Sequence, residues 1–364
     1  MPTLRPEIAA LTAYEVGRPI EGVVREHGID PADVVKLTAN ESPQGPFPGV
    51  AEAVVAAVSS FNRYPDNQAW ELAGALAAEL GVGRSNLLLG NGSTSLIADF
   101  ASAVGGPGTT IVYAWPSFIM YRFAAAWAGS TAKEVPLDSS FSLDLDAIRS
   151  VLDDDTRLAY LCNPNNPTGT IKPAGEIEEF LGSVPESVLV VVDEAYHDFV
   201  EDPRYRSTAG IAIDRPNVVA LRTFSKIYSL AGQRIGYAIG HPETLTGLRK
   251  AQQPLAVNRI AQAAALASLG QPGELSRRVA DNASSRHHLV GAIEERDLEQ
   301  VESHTNFVFF KMPHDDSKAV AEEFTIRGVL IRPMSGGWMR VTVGSPAENR
   351  RFVDALDQVL VLFR

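Results

Sequence analysis

Lys226 stands just after the apolar run 218–221 and is followed, eight residues on, by Arg234. A lysine held among apolar residues at a strand end is costly to keep charged. Its pKa falls, and its neutral amine can attack a carbonyl to form a Schiff base. Taken alone, Lys226 also reads as a solvated loop lysine. Other chemistry-bearing groups sit at the same place relative to an apolar run. Gly90-Asn91-Gly92-Ser93-Thr94-Ser95 follows 87–89, Asn166 lies in the turn-rich 163–169 after 158–162, and Asp193 closes 188–192. A glycine turn opening a helix aims backbone N–H groups and the helix dipole at an anion; the same turn is also a plain strand–helix connection. It is not the dinucleotide fingerprint, because Ser95 stands where the third glycine is required.

The elements that must position these groups follow from periodicity. Residues 1–30 are proline-punctuated and weakly periodic, an arm lying on something else such as a partner subunit. A strand at 34–37 breaks into a turn-rich loop, and helices are expected over 48–61 and 70–80. Strands then alternate with helices: strands at 87–89, 110–114, 158–162, 188–192, 218–221 and 235–239, helices at 96–104, 116–128 and 176–181. Strands apolar on both faces, separated by helices, predict an α/β unit with a mostly parallel sheet covered on both sides. Such sheets bind ligands beyond the carboxyl ends of their strands, where Gly90, Asn166, Asp193 and Lys226 fall. After about 242 the pattern changes to helices at 254–269, 275–298, 317–327 and 346–362 and strands at 305–310, 329–332 and 338–343, a smaller α+β domain. The expected division is an arm (1–30), a large domain (31–245) and a small domain (246–364). In the strand 338–343, Met339, Val341 and Val343 share one face. Arg340 points the other way, to a pocket or to solvent.

Composition narrows the function classes. The chain has 364 residues, 45% of them hydrophobic and 21% charged, with a net charge of −12. It is globular, and its acidity disfavours nucleic acid or an anionic membrane as partner. The single cysteine, Cys162, excludes an intrachain disulfide and fits a reducing cytoplasm. No apolar run reaches the ~18 residues of a membrane span, the N-terminal stretch has no signal-peptide core, and no metal-ligand spacing such as HExxH is present.

With these pieces placed, the chain resembles the fold-type I pyridoxal-phosphate (PLP) aminotransferases. Within them it is most similar to the histidinol-phosphate aminotransferase branch, which includes bacterial aromatic amino acid (phenylalanine) aminotransferases. The resemblance spans nearly the full length and rests on LTANESPQG (37–45), RYPDN (63–67), GNGSTS (90–95), CNPNNPTG (162–169), VVDEAYHDF (191–199), RTFSKIYSLAGQRIGY (222–237) and MRVTVGSPAEN (339–349). It implies that Lys226 forms the Schiff base and shuttles the substrate proton, and that Asp193 faces the pyridine nitrogen. Asn166 and Tyr196 would bond the phenolic oxygen, and Phe118 would stack on the ring. Gly92, Ser93, Thr94, Ser225 and Arg234 would hold the phosphate, joined across a homodimer interface by Tyr64. Arg340, with Arg332, Tyr14 and Asn166, would bind the substrate. By residue type alone, Asp193 also reads as a helix N-cap and Phe118 as a core phenylalanine.

The implied reaction passes an amino group from histidinol phosphate or an aromatic amino acid to a 2-oxo acid, 2-oxoglutarate being the usual acceptor. Two positions depart from the family pattern: Ile227 where a small residue is usual, and Thr94-Ser95 where many relatives carry an acidic pair. The segment 333–338 is also short. Three rivals remain: a threonine-phosphate decarboxylase of the same fold, a nicotinamide dehydrogenase, and a PLP-fold transcription regulator, for whose added DNA-binding domain the chain leaves no room.

Overall fold

A computed structural model describes residues 3–14 and 17–363. Its central sheet has seven strands in the order Leu87–Gly90, Gly236–Gly240, Val218–Thr223, Leu189–Asp193, Thr156–Cys162, Thr110–Trp115 and Thr131–Pro136. Gly236–Gly240 runs antiparallel to both neighbours. The remaining pairs are parallel. The other six strands therefore end at one edge of the sheet, and the antiparallel strand begins there.

Strand residues alternate between two cores, as the pleat requires. Val190 and Val192 enter one and Val191 the other; Val218 and Ala220 enter the first and Val219 and Leu221 the second. Both faces are covered, so the α/β expectation stands. One strand, Thr131–Pro136, has no counterpart in the sequence reading. It is the edge of the sheet, with only Val135 buried, and its Lys133 and Glu134 mask the β pattern. Charged, half-solvated edge strands resist unwanted pairing, at the cost of a weak sequence signal.

Two helices start later than their periodicity suggests. The helix expected from 116 begins at Met120. The loop before it is fastened instead to the 163–169 turn: Ser117 Oγ donates to Asn165 Oδ1 (2.7 Å) and Asn165 Nδ2 to Pro116 O (3.2 Å). The helix expected from 254 begins at Arg259, where Asn258 caps it by accepting from the Ala261 N–H (2.8 Å).

A second core surrounds an antiparallel sheet of Arg332–Pro333, Trp338–Thr342, Phe307–Lys311 and Gln300–Val301. The packing units are not continuous in sequence. Val35–Lys36 pairs in parallel with Val329–Leu330, and Val35 and Leu37 pack in this smaller core, although they lie within the 31–245 span. Conversely, Ala261, Ala264 and Ala265, within the 246–364 span, pack in the large core. Among the described residues no helix is long and apolar enough to cross a membrane.

A buried ion pair ties the strand end at Asp193 to its surroundings. Arg222 Nε donates to Glu194 Oε2 (3.0 Å), which also accepts from Ser207 Oγ (2.7 Å), while Oε1 accepts from Thr208 N (2.6 Å). The Arg222 cation holds the Glu194 carboxyl below its usual range against the opposing cost of burial. Truncating one partner strands the other charge in a buried place. Glu194→Ala is expected to lower stability by about 3–5 kcal/mol, measured by urea unfolding.

Candidate active site

The end of the sheet where the six strands finish carries Gly92, Asn166, Asp193 and Lys226, at or just after strand ends. Gly92 has φ +75°, and a Cβ there would lie 2.3 Å from Arg234 Nη2. The positive φ favours glycine at this turn, and the missing Cβ leaves room for the guanidinium. Gly236 is required for a similar reason, since a Cβ would sit 2.5 Å from the Ser93 nitrogen at the start of the helix Ser93–Val104. The first N–H groups of that helix have no intrahelical partners, and its dipole favours an anion. Ser225 adds a hydroxyl. Its oxygen accepts from Thr223 Oγ1 (2.9 Å), so its own hydrogen is free to donate. Ser95 turns back to donate to Gly92 O (3.1 Å), which braces the turn rather than adding charge to it. These groups fit a phosphate: a glycine turn with a positive φ at Gly92, a backbone approach at Gly236 too tight for a Cβ, the Arg234 guanidinium and a helix start.

Asp193 lies deeper, 2% exposed. Its Oδ2 accepts from Tyr121 OH (2.8 Å) and its Oδ1 from Ala195 N (3.1 Å). Burial pushes its pKa up to about 6, and these two bonds oppose the rise. Tyr121 went unrecognised in the sequence. It is locked by stacking on Tyr160, with ring centroids 4.6 Å apart, a contact between distant segments that no local pattern reveals. Phe118 meets Tyr121 edge-on at 5.8 Å and stays half-buried at the lip of the same site.

Lys226 is half-buried, its Nζ donating to Ala39 O (3.2 Å) and lying 5.6 Å from the Tyr196 ring centroid. Loss of solvation, then the nearby Arg340 cation, lower its pKa to about 8. Tyr196 is buried and accepts from Asn40 Nδ2 (2.9 Å). Burial drives its phenol well above the ordinary value, so it stays neutral. Ile227 is packed into the large core and also lines the cavity that Lys226 lines.

Arg340 comes from the smaller unit and is 9% exposed, which rules out the solvent-facing alternative. Its Nη1 donates to Asn166 Oδ1 (2.6 Å) and its Nη2 to Thr38 O; its Nε is buried without a partner among the described residues. Burial lowers its pKa to about 10, as does the charge of Arg332, which faces it across the strand pair. Tyr14 acts on it in the opposite sense while its ring rests edge-on against Phe123 at 6.3 Å. Thr94 lies in the first turn of the phosphate-site helix. Tyr64 stands apart, 83% exposed, its backbone O accepting from Arg259 Nη2 (2.6 Å).

Residues 32–356 match the family model described as aminotransferase class I and II. The chain belongs to that family. The histidinol-phosphate aminotransferase 1 of Cupriavidus pinatubonensis is 41% identical over 359 residues, covering 97% of this chain and 95% of the relative. The aromatic amino acid aminotransferase of Thermobifida fusca is 41% identical over 354 residues, 97% of this chain and 96% of its own. The solved structure of the Sinorhizobium meliloti histidinol-phosphate aminotransferase in complex with PLP matches with a TM-score of 0.91 at 29% identity, over 99% of this chain and 98% of that one. This aminotransferase therefore has the fold-type I architecture and uses PLP.

Below its pKa the Lys226 amine is protonated and unreactive; above it the free base predominates. Capture of PLP by apoprotein should accelerate with pH up to about 8 and then level off. Stopped-flow absorbance across that range is the check. Lys226→Ala should keep its circular dichroism and lose all borohydride-reducible attachment.

Proposed function

We propose that this aminotransferase takes the amino group of histidinol phosphate or of an aromatic amino acid and passes it to 2-oxoglutarate, in a homodimer that shares its sites. The observation that carries this reading is the buried Arg340 guanidinium. Its hydrogen-bond partners among the described residues are neutral oxygens, and its Nε is unused. A buried cation without a counter-charge is costly, and an anionic substrate group offsets that cost. Arg332 and Tyr14 flank the same place, as does Asn166.

The remaining roles follow from hydrogen-bond direction. When bound, PLP supplies an electron sink for the pair of electrons left at the substrate carbon. Asp193, ionised above about 6, keeps a proton on the ring nitrogen. Asn166 spends its Oδ1 on Arg340, which leaves its amide N–H groups free for the phenolic oxygen. Tyr196 donates to the same oxygen. Phe118 covers one ring face. Gly92, Ser93, Thr94, Ser225 and Arg234 hold the phosphate. Lys226, once displaced by the incoming amine, would take the proton from the substrate α-carbon as a free base, the form that predominates above about pH 8. The buried free thiol of Cys162 fits a reducing cytoplasm.

Dimerisation is inferred from an exposed apolar stretch. Val55, Val58, Phe61, Tyr64 and Trp70 are all solvent-exposed in the single chain, and an apolar run of this kind marks an interface. A second copy covering it would bring Tyr64 to its neighbour's phosphate site.

Two experiments test the reading. Single-turnover half-reactions with histidinol phosphate and with phenylalanine decide the substrate. In both, Arg340→Ala should cut kcat/KM by about a hundredfold or more, and release of CO₂ in place of keto-acid exchange would overturn transamination. Mixed dimers test the shared site: Lys226→Ala chains paired with Tyr64→Ala chains keep one complete site. That hybrid should bind PLP about ten- to a hundredfold more tightly than the Tyr64→Ala homodimer. Equal affinity would place Tyr64 outside the partner's site.

A further inference from the structure

We infer that Asn40 is a positioning residue that sets the direction of the Tyr196 phenol hydrogen, and so the strength with which Tyr196 donates to the cofactor's phenolic oxygen. This rests on the role proposed above for Tyr196. A phenol carries one hydrogen and can accept from other donors. Asn40 Nδ2 occupies the accepting side at 2.9 Å. Asn40 is the Tyr196 hydroxyl's hydrogen-bond partner among the described residues, so the hydrogen is left to point into the site.

The orientation of the Asn40 amide is settled by its other bonds. The Asn40 N–H donates to Thr342 Oγ1 (3.0 Å), so the threonine hydroxyl has its hydrogen to give elsewhere. It gives it to Asn40 Oδ1 (3.2 Å). With the carbonyl end engaged as an acceptor, the NH₂ end must face Tyr196. The backbone is held as well, because Asn306 Nδ2 donates to Asn40 O (3.0 Å). Asn40 has φ +54° and is 1% exposed. Asparagine tolerates this left-handed backbone better than most residues.

The neighbours of Asn40 serve the same site. Thr38 O accepts from Arg340 and Ala39 O from Lys226. Residues 38–40 thus form a strap that touches the anion-binding guanidinium, the amine and the phenol in succession. Because Thr342 and Arg340 lie on one strand of the smaller unit, the strap links the setting of Tyr196 to the strand that binds substrate.

A donor on the phenolic oxygen favours the state in which that oxygen carries the most negative charge. It therefore lowers the pKa of the Lys226-linked chromophore, read from its visible absorbance. Asn40→Gly keeps the positive φ and removes the amide. It should raise that pKa by about one unit. Asn40→Asp should raise it further, because a carboxylate draws the phenol hydrogen to itself. In a Tyr196→Phe background, Asn40→Gly should add nothing, since the effect passes through the phenol. Thermal unfolding of each variant establishes that it is folded. A folded Asn40→Gly protein with an unchanged chromophore pKa overturns the proposal, as does an equal shift with and without the Tyr196 hydroxyl. If the unmodified protein showed no lysine-linked band, the cofactor reading would fail and take this proposal with it.

Discussion

A buried guanidinium with no carboxylate partner among the described residues is the constraint around which the site is arranged. Arg340 reaches from the smaller unit into the large one, and burial lowers its pKa to about 10 rather than a carboxylate raising it. The protein stabilises it with two neutral oxygens, of Asn166 and Thr38. That choice leaves the positive charge available to a ligand. It also acts on Lys226, since the same cation helps to lower the amine's pKa to about 8. The proposed anion-binding residue thus also tunes the amine, by field rather than by contact with the lysine.

Opposite this cation, Asp193 is held in a different balance. Desolvation would neutralise it, and bonds from Tyr121 and Ala195 keep it near the boundary between acid and carboxylate. A cationic ring nitrogen beside it would complete the ionisation. The next residue, Glu194, is equally buried but already paired with Arg222. The two adjacent acids, equally buried, differ in what faces them. One is satisfied and structural, and the other is left wanting a cation.

The two units are stitched by short segments rather than by a long linker. Residues 35–37 complete the smaller core, and the next three residues cross to Arg340, Lys226 and Tyr196. A displacement of one unit against the other would disturb all three contacts together.

The sequence by itself determined a mostly parallel sheet apart from its edge strand, its burial on both faces, and the placement of Gly90, Asn166, Asp193 and Lys226 at or just after strand ends. Those properties reside in local hydrophobic periodicity and in turn residues, which act over a few positions. It could also place Arg340 opposite Met339 and Val341, because strand alternation is local. Tertiary structure alone decided whether that face met a pocket or water, since Asn166 lies 174 residues away. The same holds for the charged edge strand Thr131–Pro136, whose β character comes from its neighbour Thr110–Trp115. Tyr121 and Asn40 were invisible for a related reason. Their importance lies in hydrogen bonds to residues 72 and 156 positions away, and directional bonds between distant segments leave no period in the chain.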